Sequence, residues 1–148
     1  MIKLTIRTEI KVPADETFLY VKDFSNNAKW QSGIKSTDWT SPPPIRVGST
    51  YDQLADYQDT VTGYEIIAIE PGRSITTESR RGATFPITVT RRVDPLGPSR
   101  CRITVDLVGH PRGWRRLARP LVVRTVRKSI EADYRRLKRL LEATGDED

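Results

Sequence analysis

A chain of 148 residues with 36% hydrophobic content and a net charge of +6 has the size of one domain, with room for a real core and a modest pocket. No run approaches the ~18 apolar residues of a membrane-spanning helix, and the single Cys101 excludes an internal disulfide and a cysteine-based zinc site. The start, Met1 to Arg7, lacks the apolar core of a secretory signal, so the cytoplasm is the expected compartment.

Residues 2–12 set Ile2, Leu4, Ile6, Ile10 and Val12 against Lys3, Thr5, Arg7, Glu9 and Lys11, which predicts a half-buried strand ended by Pro13. Ala14 to Lys22 reads as a short helix, with Asp15 and Glu16 suited to its positive end. Asn26 or Asn27 suits the cap of a second short helix that carries Trp30 and is closed by Gly33. Ile34 to Thr40 is a predicted strand, and Ser41-Pro42-Pro43-Pro44 a loop.

A run of antiparallel strands follows. They are expected over Gly48 to Gln58, Thr60 to Glu70, Arg73 to Arg80, Phe85 to Val93 and Arg102 to Gly109. Pro71-Gly72 is a turn dipeptide, Arg81-Gly82 a second turn, and Asp94 to Pro98 a hairpin loop. Trp114 to Glu142 reads as one long helix, bent at or starting near Pro120. Leu117, Leu121, Val122, Val126, Ile130, Tyr134, Leu137 and Leu141 recur along it at helical spacing. Ten Lys or Arg residues and only three acids lie in the same stretch, so the chain's positive charge is concentrated there. A solvated outer face explains this better than nucleic-acid binding, because no aromatic residues are interleaved for base stacking. Gly145 to Asp148 is an acidic tail expected to fray.

The fold class is α+β: a curved antiparallel sheet of about seven strands around one long C-terminal helix, with two short helices after the first strand. All of residues 1–148 are expected in one domain. A strongly bent sheet cannot lie flush on a straight helix, and the mismatch leaves a hollow where ligands bind.

Several segments resemble the START-like, or SRPBCC, superfamily. Ile10-Lys11-Val12-Pro13-Ala14-Asp15-Glu16-Thr17-Phe18 is similar to its entry from first strand to first helix. Asp23, Asn27 and Trp30 resemble its signature over the short helices, and Val47-Gly48-Ser49-Thr50-Tyr51 its third-strand turn. Glu70-Pro71-Gly72-Arg73 resembles its hairpin, with Gly72 in place of a second proline; Ile130 to Leu141 resembles its last helix. The likeness is strongest to the polyketide cyclase/dehydrase and lipid transport branch. It implies a helix-grip fold, an internal apolar cavity and binding of lipids, polyketides or other aromatic compounds. These are scaffold motifs and do not specify a substrate.

Strand parity and helix phase nominate the cavity wall: Trp30, Tyr51, Gln53, Tyr57, Tyr64, Ile66, Phe85, Ile87, Val89, Arg91, Val105, Leu107, Trp114, Leu121, Val122, Thr125, Val126 and Ser129. A dry core avoids polar groups, since each unpaired one costs roughly 1–3 kcal/mol. Arg91 or the tyrosines are therefore expected to orient the polar end of a ligand, unless Arg91 snorkels out at the sheet rim. Trp114, beside Arg112, Arg115 and Arg116, also suits transient membrane contact. His110, the only histidine, has no partner for metal binding or base catalysis in view. The leading expectation is a binder or transporter of a small hydrophobic molecule, as monomer or homodimer, with no cofactor, no metal and no nucleic-acid partner. The alternatives are a cyclase, aromatase or dehydratase using polar groups in the cavity, and an interaction module using the basic helix.

Overall fold

The alternation of the first residues becomes β1 (Ile2–Ile10), the edge strand of a seven-stranded antiparallel sheet. The computed structural model describes residues 2–56, 61–81, 86–110 and 120–145. After β1 come α1 (Ala14–Val21), a 3-10 turn (Phe24–Asn26) and α2 (Asn27–Trp30). Then follow β2 (Ile34–Trp39), β3 (Thr50–Ala55), β4 (Val61–Glu70), β5 (Ser74–Arg81), β6 (Ile87–Gly97), β7 (Arg100–Gly109) and the long α3 (Pro120–Gly145). The strands lie in the order β1-β7-β6-β5-β4-β3-β2. Strands β2 to β7 form a meander, and the chain's first strand closes the far edge against β7. This is the curled sheet and long terminal helix of the helix-grip fold.

Local chemistry accounts for the boundaries. Pro13 sits just before α1, whose first turn carries Asp15 and Glu16 against the helix dipole. Gly72 adopts φ +72°, which the third residue of a type II turn requires, and Arg73 N donates to Glu70 O at 2.9 Å. Pro120 opens the described part of α3, where a missing N–H is harmless. The expected start at Trp114 lies outside the described residues.

One boundary differs from expectation. Asp94 to Gly97 is not loop but the end of β6, paired with β7 through Gly97 and Arg100. Pro95 is tolerated because β5 begins opposite Arg92, leaving the Pro95 nitrogen on an unpaired side of β6.

Register shifts in β2, β4 and β6 bend the sheet. In β4 a shift between Ile66 and Ala68 buries Ile66 and turns Ile67 outward. The core gathers Ile10, Phe18, Val21, Phe24, Trp30, Ile75, Val93, Ile103, Tyr134 and Leu137 between the sheet, the short helices and the middle of α3. Cys101 is buried there, donating to Thr17 Oγ1 at 3.3 Å, with its thiol pKa raised by burial.

The basic residues of α3 divide into two sets. Arg127 and Lys138 donate to Thr5 O (3.2 Å) and Glu9 O (2.8 Å) of β1, and Glu142 accepts from Lys11 N at 3.0 Å. These bonds occupy backbone groups on an edge strand that would otherwise invite pairing with another chain. Arg136 donates to Trp30 O at 2.9 Å, and Asp133 accepts from Ser32 N and Oγ, docking α3 on the end of α2. Arg124, Lys128, Arg135 and Arg139 remain exposed, with no acidic partner among the described residues.

Two measurements test where the core sits. Leu137 is fully buried and Leu121 is 74% exposed, so Leu137→Ala should destabilise by about 2–5 kcal/mol in urea unfolding. Leu121→Ala should stay within about 0.5 kcal/mol of the wild type. Asp23 ties the 3-10 turn to the sheet by accepting from Trp39 Nε1 (2.8 Å) and from Ser25 N and Oγ. Burial opposes its ionisation, but those bonds and nearby Lys29 prevail and hold its pKa below the ordinary carboxylate value. Its contribution is therefore full above about pH 4 and is lost as acid titrates the folded state. Asp23→Ala should cost about 1 kcal/mol at pH 7 and have less effect as pH falls, read from urea midpoints across that range.

Candidate functional site

Three strands without register shifts along their inner faces bring the site together. On β3, Tyr51 and Gln53 point inward; on β6, Ile87, Val89 and Arg91; on β7, Val105 and Leu107. With Tyr64 of β4 and Thr77 of β5 they line a cavity of about 180 Å³. Phe24, Asn27 and Gln31 close one side of it, and Ile130, Asp133 and Tyr134 of α3 cross it.

Arg91 lies in a cross-strand row with Ile6, Val105, Ile75 and Ile69, an otherwise apolar layer. It does not snorkel, being only 2% exposed. One terminal nitrogen donates to Val21 O at 2.8 Å, at the negative end of α1, and the other to Asn27 Oδ1 at 2.9 Å. The guanidinium carbon lies 4.2 Å from the Phe24 ring centre and 5.0 Å from that of Trp30. Ring faces and neutral oxygens thus surround the charge; among the described residues it makes no ion pair, and its Nε has no hydrogen-bond partner.

An aromatic ladder continues from Phe24. Tyr51 stacks on Phe24 with centres 4.9 Å apart, and Tyr64 stacks on Tyr51 at 5.1 Å. The Tyr51 hydroxyl bonds Thr77 Oγ1 at 3.0 Å, and Thr77 donates to Glu65 O at 3.3 Å. Gln53 Oε1 accepts from Asn27 Nδ2 and from Thr37 Oγ1, both at 3.1 Å. Burial lifts the Tyr51 phenol far above its ordinary pKa, with the Thr77 bond and the Arg91 charge pulling the other way. Burial likewise raises Tyr134, again against Arg91. Both phenols stay protonated at neutral pH, so they serve as hydrogen-bonding groups rather than bases. Asp133 stands at the cavity but is engaged by Arg136 at 3.0 Å and by Ser32.

Of the wall residues expected from sequence, Tyr51, Gln53, Tyr64, Ile87, Val89, Arg91, Val105 and Leu107 meet at this cavity. Trp30 and Ile66 do not: both are buried in the core, Trp30 edge-on to Tyr134 at 4.9 Å. Leu121, Thr125, Val126 and Ser129 are exposed and Val122 is half-buried, and none lines the cavity. The reason is axial position. Val126 lies one turn before Ile130, the first residue of α3 to reach the cavity, so the helix starts beyond its end. Tyr57, Phe85 and Trp114 lie outside the described residues.

Phe24, Asn27, Gln31, Thr77, Ile130, Asp133 and Tyr134 line the cavity without having been nominated for it. Ile130 and Tyr134 belong to the apolar sector of the helix, and Thr77 shares parity with buried Ile75. Nothing in a one-turn helix tells which residue of Asn27-Ala28-Lys29-Trp30 faces a cavity.

Elsewhere, His110 is an exposed residue at the end of β7. Among the described residues no cluster of His, Cys, Asp and Glu could hold a metal ion, and no helix is long and apolar enough to cross a membrane.

The geometry has counterparts in solved structures. One half of the two-domain ARO/CYC protein BexL, from the BE-7585A biosynthetic pathway, superposes with a TM-score of 0.77 at 14% identity. That match covers 96% of this chain and 47% of BexL, so the chain spans about half the length of that protein. A START superfamily protein from Mycobacterium smegmatis matches at TM-score 0.71 and 18% identity, over 98% of this chain and 97% of its own. A protein from Thermus thermophilus matches at 0.76 and 15%, over 97% and 99%. At such identities the likeness is one of fold. No curated protein matches the sequence. The model of one family does, from residue 1 to residue 142, and on that match the chain belongs to the polyketide cyclase/dehydrase and lipid transport family.

Proposed function

We propose that the protein binds a small, largely apolar ligand in the cavity between β3–β7 and α3, with the ligand's polar end toward Arg91, Tyr51 and Gln53. The observation that carries this reading is a hollow of about 180 Å³ with an apolar wall, Ile87, Val89, Val105, Leu107 and Ile130, joined by the polar groups of Arg91, Tyr51, Gln53 and Asn27. A dry apolar cavity of roughly 150 Å³ holds benzene, so this one suits a compound of one or two fused rings, or a short acyl chain. The ladder of Phe24, Tyr51 and Tyr64 favours flat ligands.

A second reading, a cyclase-type enzyme, is favoured by the fold match to half of an ARO/CYC protein. Arg91 would then polarise a carbonyl, with the neutral Tyr51 phenol beside it. A cavity of this size restricts such chemistry to a short chain, because drug-sized ligands occupy roughly 300–1,000 Å³.

Native mass spectrometry of freshly purified protein tests the binder, with naphthalene as an added probe. Leu107→Trp should fill the cavity, abolish any co-purifying small molecule and weaken naphthalene binding by roughly tenfold or more, about 1.4 kcal/mol, while the fold persists by circular dichroism. Unchanged naphthalene affinity in that variant would remove the cavity from the function. Turnover of a short β-keto thioester by the wild type would favour the enzyme.

A further inference from the structure

Arg91 bears a full charge in a place where nothing described neutralises it. A buried charge is normally paired, because desolvation of an ion costs several kcal/mol. Here the partners are a backbone carbonyl, a side-chain amide, the Tyr134 hydroxyl and two ring faces, all of them neutral. A guanidinium carries five N–H donors. Val21 O and Asn27 Oδ1 take two, and Nε is shut away from water with no acceptor. Among the described residues the one carboxylate at the cavity, Asp133, is held by Arg136 and Ser32. A pocket with an unneutralised cation at one end and an oily wall at the other lacks one thing, a negative charge.

We infer that the ligand supplies it: the cavity selects small flat molecules that carry a compact anionic group, a carboxylate or an equivalent enolate or phenolate, seated against Arg91. This rests on the binding reading above and narrows it from a polar end to a charged one. The anion completes an ion pair inside a low-dielectric site, where a hydrogen bond between charged groups is stronger than a neutral one. Asn27 is the neighbour that keeps the site open. Its Oδ1 lies 2.9 Å from the guanidinium, the position a structural aspartate would occupy in a closed pair. With an amide there, Arg91 is held in place without being neutralised.

The test uses two probes of matched size and shape, 2-naphthoate, which is ionised at neutral pH, and 2-naphthamide, which is not. Binding to the full chain is followed by tryptophan fluorescence and calorimetry at low and moderate salt. The wild type should bind naphthoate about tenfold more tightly than naphthamide, the difference between a charged and a neutral hydrogen bond. Asn27→Asp is nearly isosteric and supplies the missing charge; Gln53 need only turn its amide to meet the new carboxylate. This variant should melt at a higher temperature and lose the preference for naphthoate over naphthamide. Arg91→Lys, which keeps the charge, should retain part of it. Equal binding of both probes by the wild type overturns the anionic class and leaves a neutral-ligand cavity standing. A preference that survives Asn27→Asp, or naphthoate binding that survives Leu107→Trp, places the anion on the exposed cations of α3 and overturns the inference. Failure of the wild type to bind either probe sinks the binding reading along with it.

Discussion

A rigid rod cannot follow a bent sheet along its whole length, and this mismatch governs the molecule. Register shifts in β2, β4 and β6 curve the sheet, while α3 runs 26 residues from Pro120 to Gly145. Contact is full only where Tyr134, Leu137 and Leu141 meet β1, α2 and the core. The polar anchors stand on both sides of the cavity: Arg127 before it, on the backbone of β1, and Arg136 and Lys138 after it, on the end of α2 and on β1. Between these anchors the space under Ile130, Asp133 and one side of Tyr134 stays open. Tight docking at one end of the helix and a void near its middle are one geometric fact.

Arg91 links that void to the rest of the fold. Through Val21 O and Asn27 Oδ1 it joins the centre of the sheet to the end of α1 and the start of α2. The short helices are too brief to hold themselves: α2 is four residues, and an isolated helix of that length is unstable in water. Their position depends on Phe24 and Trp30 packing into the core and on the guanidinium between those rings. The same group is therefore a structural bolt and the electrostatic end of a cavity. The two roles are compatible because its protein partners are neutral. An ion pair would have secured the bolt better and removed the unneutralised charge.

How much of this was legible in the sequence followed from where period-two alternation holds. On β3, β6 and β7 it runs unbroken past the cavity, and there Tyr51, Gln53, Ile87, Val89, Arg91, Val105 and Leu107 all fall on the side that parity assigns. On β4 no register shift separates Tyr64 from Ile66 and the two share a face, yet one reaches the cavity and the other the core, because parity names the face and not the position along the strand. For α3 the phase of the apolar sector was readable, but its axial placement was not. Helical periodicity tells which side faces inward and is silent about which turn lies over the void, so Val122 and Val126 were nominated where Ile130 and Tyr134 stand. The hairpin at Pro95 was misread for a related reason. Proline ends a strand only if its missing N–H is needed, and on β6 that side has no neighbour.

The charge of the long helix shows the same limit. Ten basic residues over one stretch read as a uniform outer stripe. In three dimensions Arg127, Arg136 and Lys138 are spent on backbone carbonyls, and their long apolar stems let them reach back to β1 and α2 while the helix packs through other residues. Arg124, Lys128, Arg135 and Arg139 are the described basic residues of the helix that stay exposed without such a bond. The excess of positive charge is therefore partly an edge-sealing device, which leaves less of it for a partner than the count implies. An anionic ligand drawn toward this molecule would meet a diffuse positive field outside, screened within about 10 Å at ordinary salt. It would meet a single unscreened guanidinium inside. Discrimination among such ligands would belong to the inner charge, because only there is water excluded from the contact.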